Sequence, residues 1–135
     1  MMGWYKYEEG SRKPLPDRQN IVLTRRWDYA APGARVYSNI NAAIAAGRAI
    51  ASKENVDELF VIGGQSLFER AMLLADRLYI TEVDTKIDGD VFFPEDELHK
   101  FEEVRSTSYP ADERNEFGFT YRVLERVMDG VPKRV

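Results

Sequence analysis

In the stretch FVIGGQSLF, two adjacent glycines, Gly63 and Gly64, separate an apolar run rich in β-branched residues from a segment with helical spacing. A glycine pair where a strand hands over to a helix leaves the main chain bare. The free N–H groups of the first helical turn, Gln65, Ser66 and Leu67, can then hold an anion such as a diphosphate. The same glycines also suit a strand-to-helix turn that needs only their backbone freedom. A second grouping lies in PLPDRQNIVLTRR, from Pro14 to Arg26, where Thr24, Arg25 and Arg26 follow a short apolar run. A hydroxyl beside two guanidinium groups suits a phosphate monoester, although a solvated charge cluster after a strand has the same composition.

Other chemistries are poorly supplied. The 135 residues contain no cysteine and a single histidine, His99, which is expected at the surface. Disulfides and thiolate zinc sites are therefore excluded, and no metal site is expected. The acids of DTKIDGD, Asp84 to Asp90, miss the spacing of a calcium loop and read as a turn with capping carboxylates. A formal net charge of −4 argues against a general nucleic-acid binder, and Arg25 with Arg26 are too few for one. No apolar run reaches the roughly 20 residues of a membrane span, and MMGWYKYEEG lacks the apolar core of a signal peptide. A cytoplasmic protein without membrane or nucleic-acid partners is expected.

The elements that would position these groups follow from the hydrophobic period. Asn20 to Thr24 reads as a buried strand bounded by turn formers. Ser38 is expected to cap a helix that presents Ile40, Ala43, Ile44, Gly47 and Ile50 on one face and ends near Ala51. Asp57 to Ile62 reads as a second strand. Leu67, Ala71 and Leu74, with Phe68 and Met72 beside them, give a second helix, and Leu78 to Val83 a third strand. Strands alternating with helices imply parallel pairing in an α/β sheet. Phe101 to Ser108 and Phe117 to Val127, joined by YPADERNE, are expected to append an antiparallel pair. With 44% hydrophobic residues, residues 1–135 are expected to form a single domain, with 128–135 as a flexible tail.

The ordered set MG…YEE, PLPDRQNIVLTR, FVIGGQSLF, ADRLYITEVD, GDVFFPE and YRVLER resembles the dihydrofolate reductase family from about Met2 to Arg126. The resemblance implies a mixed, mostly parallel sheet flanked by helices, with a C-terminal antiparallel hairpin. It also implies NADPH-dependent reduction of 7,8-dihydrofolate to 5,6,7,8-tetrahydrofolate by hydride transfer. Gly63, Gly64, Gln65 and Ser66 would line the cofactor diphosphate and nicotinamide, with the Gly63–Gly64 peptide cis. Gly3, Leu23, Ile62 and Leu67 would complete that cofactor surface. Thr24 and Arg25 would meet the adenosine 2′-phosphate. Arg18 would pair with the glutamate carboxylate of the folate. Leu15, Ile62 and Phe68 would line the folate pocket, and Thr81 would support the pterin amino group.

The sequence also departs from the family pattern. Trp4 and Lys6 stand where the family usually has an arginine and a threonine for cofactor phosphates, and only Lys6 could supply charge. Met2-Gly3 corresponds to a point inside the pattern, so the leading strand, mobile loop and first helix are without counterpart. With them goes the carboxylate that the family places against the pterin; Glu8 and Glu9 fall in the next helix by register, and no catalytic residue is identified. In the family Asp90 tethers the mobile loop. The leading strand lies between the counterparts of Asp57–Ile62 and Leu78–Val83, and a strand exchanged between identical copies is one way to fill its place. Alternative readings are an inactive NADP(H)-binding remnant, an interaction module of the same fold, or a reductase of the riboflavin-pathway type. The PLPxR setting of Arg18 favours a folate.

Overall fold

The computed structural model of the chain describes residues 1–3, 13–26, 28–85, 94–128 and 131–132. They fall into two compact units, Met1–Ala71 and Met72–Val135.

In the first unit, β1 (Met2–Gly3), β2 (Ile21–Leu23) and β3 (Arg35–Tyr37) form a parallel sheet in that order. β2 is central, with Met2 opposite Val22 and Ile21 opposite Arg35. Its residues are apolar without alternation because both faces are covered. Ile21 and Leu23 pack with Met1, Ala43 and Leu67, while Val22, fully buried, packs with Met2 and Ala31. The sequence reading found β2 but neither of its neighbours.

Helix α1 (Ile40–Lys53) turns its expected face inward, with Ala43 and Gly47 buried and Ile40, Ile44 and Ile50 against the first cluster. Its cap is Asn39, one residue beyond the expected Ser38. The Asn39 Oδ1 accepts from the N–H groups of Asn41 and Ala42, at 2.8 and 3.1 Å. The helix closes in a Schellman motif: Asn55 sits at φ +56°, Val56 N–H donates to Ala51 O and Asn55 N–H to Ser52 O. This carries α1 two residues past the expected end.

Asp57–Ile62 is not among the strands, contrary to expectation. Phe60–Gly63 instead runs along β1 through three main-chain bonds: Met1 N to Phe60 O, Ile62 N to Met1 O, and Gly3 N to Gly63 O. The β-branched pattern encoded an extended chain; what it could not encode was how long a partner it would meet. Helix α2 (Gln65–Ala71) then buries Leu67 and Ala71 and stops before Leu73 and Leu74, which are exposed.

In the second unit β4 (Arg77–Val83), β5 (Phe101–Tyr109) and β6 (Phe119–Met128) form an antiparallel sheet with β6 between the other two. The expected C-terminal pair is therefore present, and the strand read at Leu78–Val83 lies against β6. A bulge between Glu103 and Arg105 shifts the β5–β6 register by one residue, and Leu78, Leu124, Phe101 and Met72 make the core. Arg126 fastens the chain after α2: its Nε and Nη2 donate to Ala75 O and Met72 O at 2.7 and 2.6 Å, and its guanidinium lies 4.6 Å from the centre of the Phe101 ring. Val131–Pro132, within the stretch expected to be flexible, forms a short β7 on β6.

Candidate functional site

The ends of β1 and β2, the chain before α1 and the start of α2 converge on a groove of about 820 Å³ in the first unit. Gly3, Leu23, Thr24, Arg25, Ile62, Gly64, Gln65, Ser66 and Leu67, all named from the sequence for a cofactor, line it together. Phe68, named for the substrate, lines it as well.

Its glycine wall is built by close approach. The Gly63–Gly64 peptide is cis, and Gly63 has φ +107°, a region that only glycine occupies readily. A Cβ on Gly63 would stand 3.2 Å from Phe68 Cε2, so Gly63 is closed in by protein. Gly64 is the reverse: a Cβ there would meet nothing within 4 Å, and its backbone faces open space. The helical ladder of α2 begins with Phe68 N–H donating to Gly64 O at 2.9 Å. The N–H groups of the residues before it have no acceptor within the helix.

The other wall is shaped by Thr24, only 5% exposed. Its N–H donates to Tyr37 O at 3.0 Å, extending the β2–β3 pairing by one residue. Its Oγ1 accepts from Arg26 N–H at 3.1 Å, which turns the chain sharply and leaves the hydroxyl proton to donate elsewhere. Arg25 is exposed at this turn, and the Arg26 guanidinium lies 5.4 Å from the centre of the Tyr29 ring.

Four further residues line the groove, Arg26, Ser38, Glu69 and Arg70. In sequence Arg26, with Thr24 and Arg25, reads as a grouping suited to a phosphate monoester, and Ser38 as a cap; neither Glu69 nor Arg70 is singled out there. Helical spacing was the signal available, since Glu69 follows Gln65 by one turn and accepts from its Nε2 at 3.1 Å.

The remaining sequence-named residues lie elsewhere. Leu15 and Arg18 are exposed on the loop before β2, where Arg18 Nε donates to Pro16 O at 2.9 Å. Gly63 is buried behind the groove, its carbonyl held by Gly3 N–H at 2.8 Å. Thr81 is exposed on β4 in the second unit, opposite Tyr121 of β6. Trp4, Lys6, Glu8, Glu9 and Asp90 lie outside the described residues. His99 is exposed, with Nδ1 2.9 Å from Asp96 O.

Residues 1–126 match the family described as dihydrofolate reductase. The chain belongs to that family. It is 32% identical over 126 residues to a dihydrofolate reductase type 3 of Salmonella typhimurium, covering 93% of this chain and 74% of the relative. It is 38% identical over 109 residues to a dihydrofolate reductase of Neisseria gonorrhoeae, covering 79% of this chain and 62% of the relative. Among solved structures it is similar to a dihydrofolate reductase from Enterococcus faecalis complexed with NADP(H) and RAB-propyl, with a TM-score of 0.76 and 30% identity. That match covers 93% of this chain and 71% of the other. The family is one of NADPH-dependent oxidoreductases, the class and cofactor expected from the motifs.

Proposed function

We propose that the chain binds NADPH in the groove of Met1–Ala71 and reduces 7,8-dihydrofolate to 5,6,7,8-tetrahydrofolate. The observation that carries this reading is the convergence on one groove of the Gly64–Leu67 backbone and the Thr24–Arg25 side chains, with open space over Gly64. Those two surfaces suit two different anions. Main-chain N–H groups at a helix start accommodate a diphosphate, and a hydroxyl beside a guanidinium suits a phosphate monoester. The residues present therefore fit a nucleotide with both.

Bound there, NADPH would supply a hydride to one carbon of the pterin ring, whose neighbouring nitrogen takes up a proton. The protein's part is to hold and to exclude. Ile62 and Phe68 offer an apolar surface beside the glycines that keeps water from the reacting faces, and Arg18 offers a fork for a folate carboxylate. Leu15 stands on the same loop as Arg18 and joins it on the substrate side; the family resemblance adds Lys6 to the cofactor residues.

A second reading has support in the acids of the groove. Among the described residues its one carboxylate is Glu69, tied to Gln65 Nε2, which leaves no carboxylate free there to deliver a proton. A cofactor-binding chain without turnover would have such a lining. Loss of NADPH absorbance on adding dihydrofolate separates the two. The reductase reading expects a rate well above the protein-free control. A folded sample that binds NADPH and a folate analogue, yet turns over no faster than that control, leaves only the binding reading.

A further inference from the structure

Five residues along α2 from Gln65, at the far end of the groove lining, stands Arg70. At about 1.5 Å of rise per residue, its Cα lies roughly 7.5 Å along the helix axis from the start of α2. A dinucleotide whose diphosphate rests at that start carries its adenosine ribose about one sugar ring further on, a reach comparable to that rise, and Arg70 lines the same groove.

The charges of the groove sharpen the point. Among the described residues its lining holds three guanidinium groups, Arg25, Arg26 and Arg70, and one carboxylate, Glu69. Glu69 is turned to the first turn of α2 by Gln65, and the Arg26 guanidinium is engaged with Tyr29. Arg25 and Arg70 are both exposed, and neither forms an ion pair among the described residues. Two uncommitted guanidinium groups on separate elements exceed what a diphosphate held by main-chain N–H groups requires. Their charge suits one further phosphate dianion held in the same groove.

Resting on the NADPH reading above, we infer that Arg70 is a specificity residue that joins Arg25 in a guanidinium clamp on the 2′-phosphate. The chain thereby selects phosphorylated over unphosphorylated nicotinamide dinucleotide from α2 as well as from the loop after β2.

The test is calorimetric titration of the full chain and of Arg70→Gln with NADPH and with NADH, at low and physiological salt. An exposed charge pair is modest in strength, so NADPH should weaken by about three- to tenfold and NADH by less than about twofold. Arg70→Lys should recover part of the loss, and the salt dependence of NADPH affinity should be shallower in Arg70→Gln than in the parent. Lys53→Gln, an equal change of charge at the exposed end of α1, should leave the ratio of the two affinities unchanged. Equal losses for both nucleotides, no loss for either, or a similar shift in Lys53→Gln would overturn the clamp. If the parent bound NADPH and Arg70→Gln bound it equally well, only the clamp would fall. If the parent bound neither nucleotide while its melting profile was cooperative, the nucleotide reading would fall with it.

Discussion

Asn20 shows how one side chain can organise a loop that the sequence presents only as turn formers. It is 4% exposed at the foot of β2, and its amide meets both polar groups of Leu15. Oδ1 accepts from Leu15 N–H at 2.9 Å, while Nδ2 donates to Leu15 O at 2.9 Å and to Arg18 O at 3.0 Å. The loop carrying Leu15 and Arg18 is thus pinned to the central strand by a side chain imitating a neighbouring strand. In sequence Asn20 is only the first residue of an apolar run, because the bond depends on a loop conformation that no period encodes. Asn20→Ala would leave part-buried main-chain groups of Leu15 and Arg18 short of partners, at about 1–3 kcal/mol for each one that water cannot reach. The variant should lose roughly 2–3 kcal/mol by urea denaturation, and its affinity for a folate analogue should fall further than its affinity for NADPH. A loss below about 0.5 kcal/mol, the scatter of an ordinary surface change, would show that the loop holds itself.

Among the elements, those whose pattern follows from burial were readable and those that depend on a partner's length were not. Ile21–Leu23 is apolar throughout because both faces of β2 are covered, and the inward face of α1 keeps its spacing from Ile40 to Ile50. The stretch Phe117 to Val127 reads as one strand of an antiparallel pair, and β6 runs through most of it beside β5. Asp57–Ile62 carries the same apolar signal, yet main-chain bonds to β1 leave it outside the sheets, and β3 was overlooked because Arg35–Tyr37 is too short for a period. The β5–β6 loop has its own local logic. Asp112 Oδ1 accepts from Arg114 N–H, Asn115 N–H and Asn115 Nδ2, and Asp112 N–H donates to Asn115 O. The main-chain bonds from Asn115 and then Arg114 hold the Asp112 carboxyl below its ordinary value, because they favour the charged form. A lowered folded pKa means that this contribution is complete above the unfolded carboxyl value near 3.9 and disappears as pH falls through the folded value. The amide resonances of Arg114 and Asn115 should therefore shift together, with a common midpoint below the ordinary aspartate value. Asp112→Ala should abolish that shared titration; a midpoint at or above the ordinary aspartate value would contradict the ring of bonds.

For the molecule as a whole, the sign of the charge depends on where it is measured. The chain carries −4, yet among the described residues the groove lining holds three cations against one anion. Exposed charges farther apart than about 8–10 Å are largely screened at physiological salt, so the local excess decides which ligand stays. The described residues lining that groove all belong to Met1–Ala71. A ligand bound there at free concentration L stabilises the folded form by RT ln(1 + L/Kd), so amides that exchange by opening the groove should slow by about 100-fold at NADPH a hundred times its dissociation constant. Hydrogen exchange followed by peptide mass should show that slowing in residues 21–26 and 62–70 and little direct change in 101–128. NADH at the same concentration should give a smaller effect, because it binds without the monoester and is farther from saturation. Protection confined to 101–128, or absent at saturating NADPH, would place the nucleotide somewhere other than against the Gly64 backbone. Equal protection by both nucleotides at matched saturation, with equal dissociation constants, would mean that Thr24, Arg25 and Arg70 face the groove without reading what it holds.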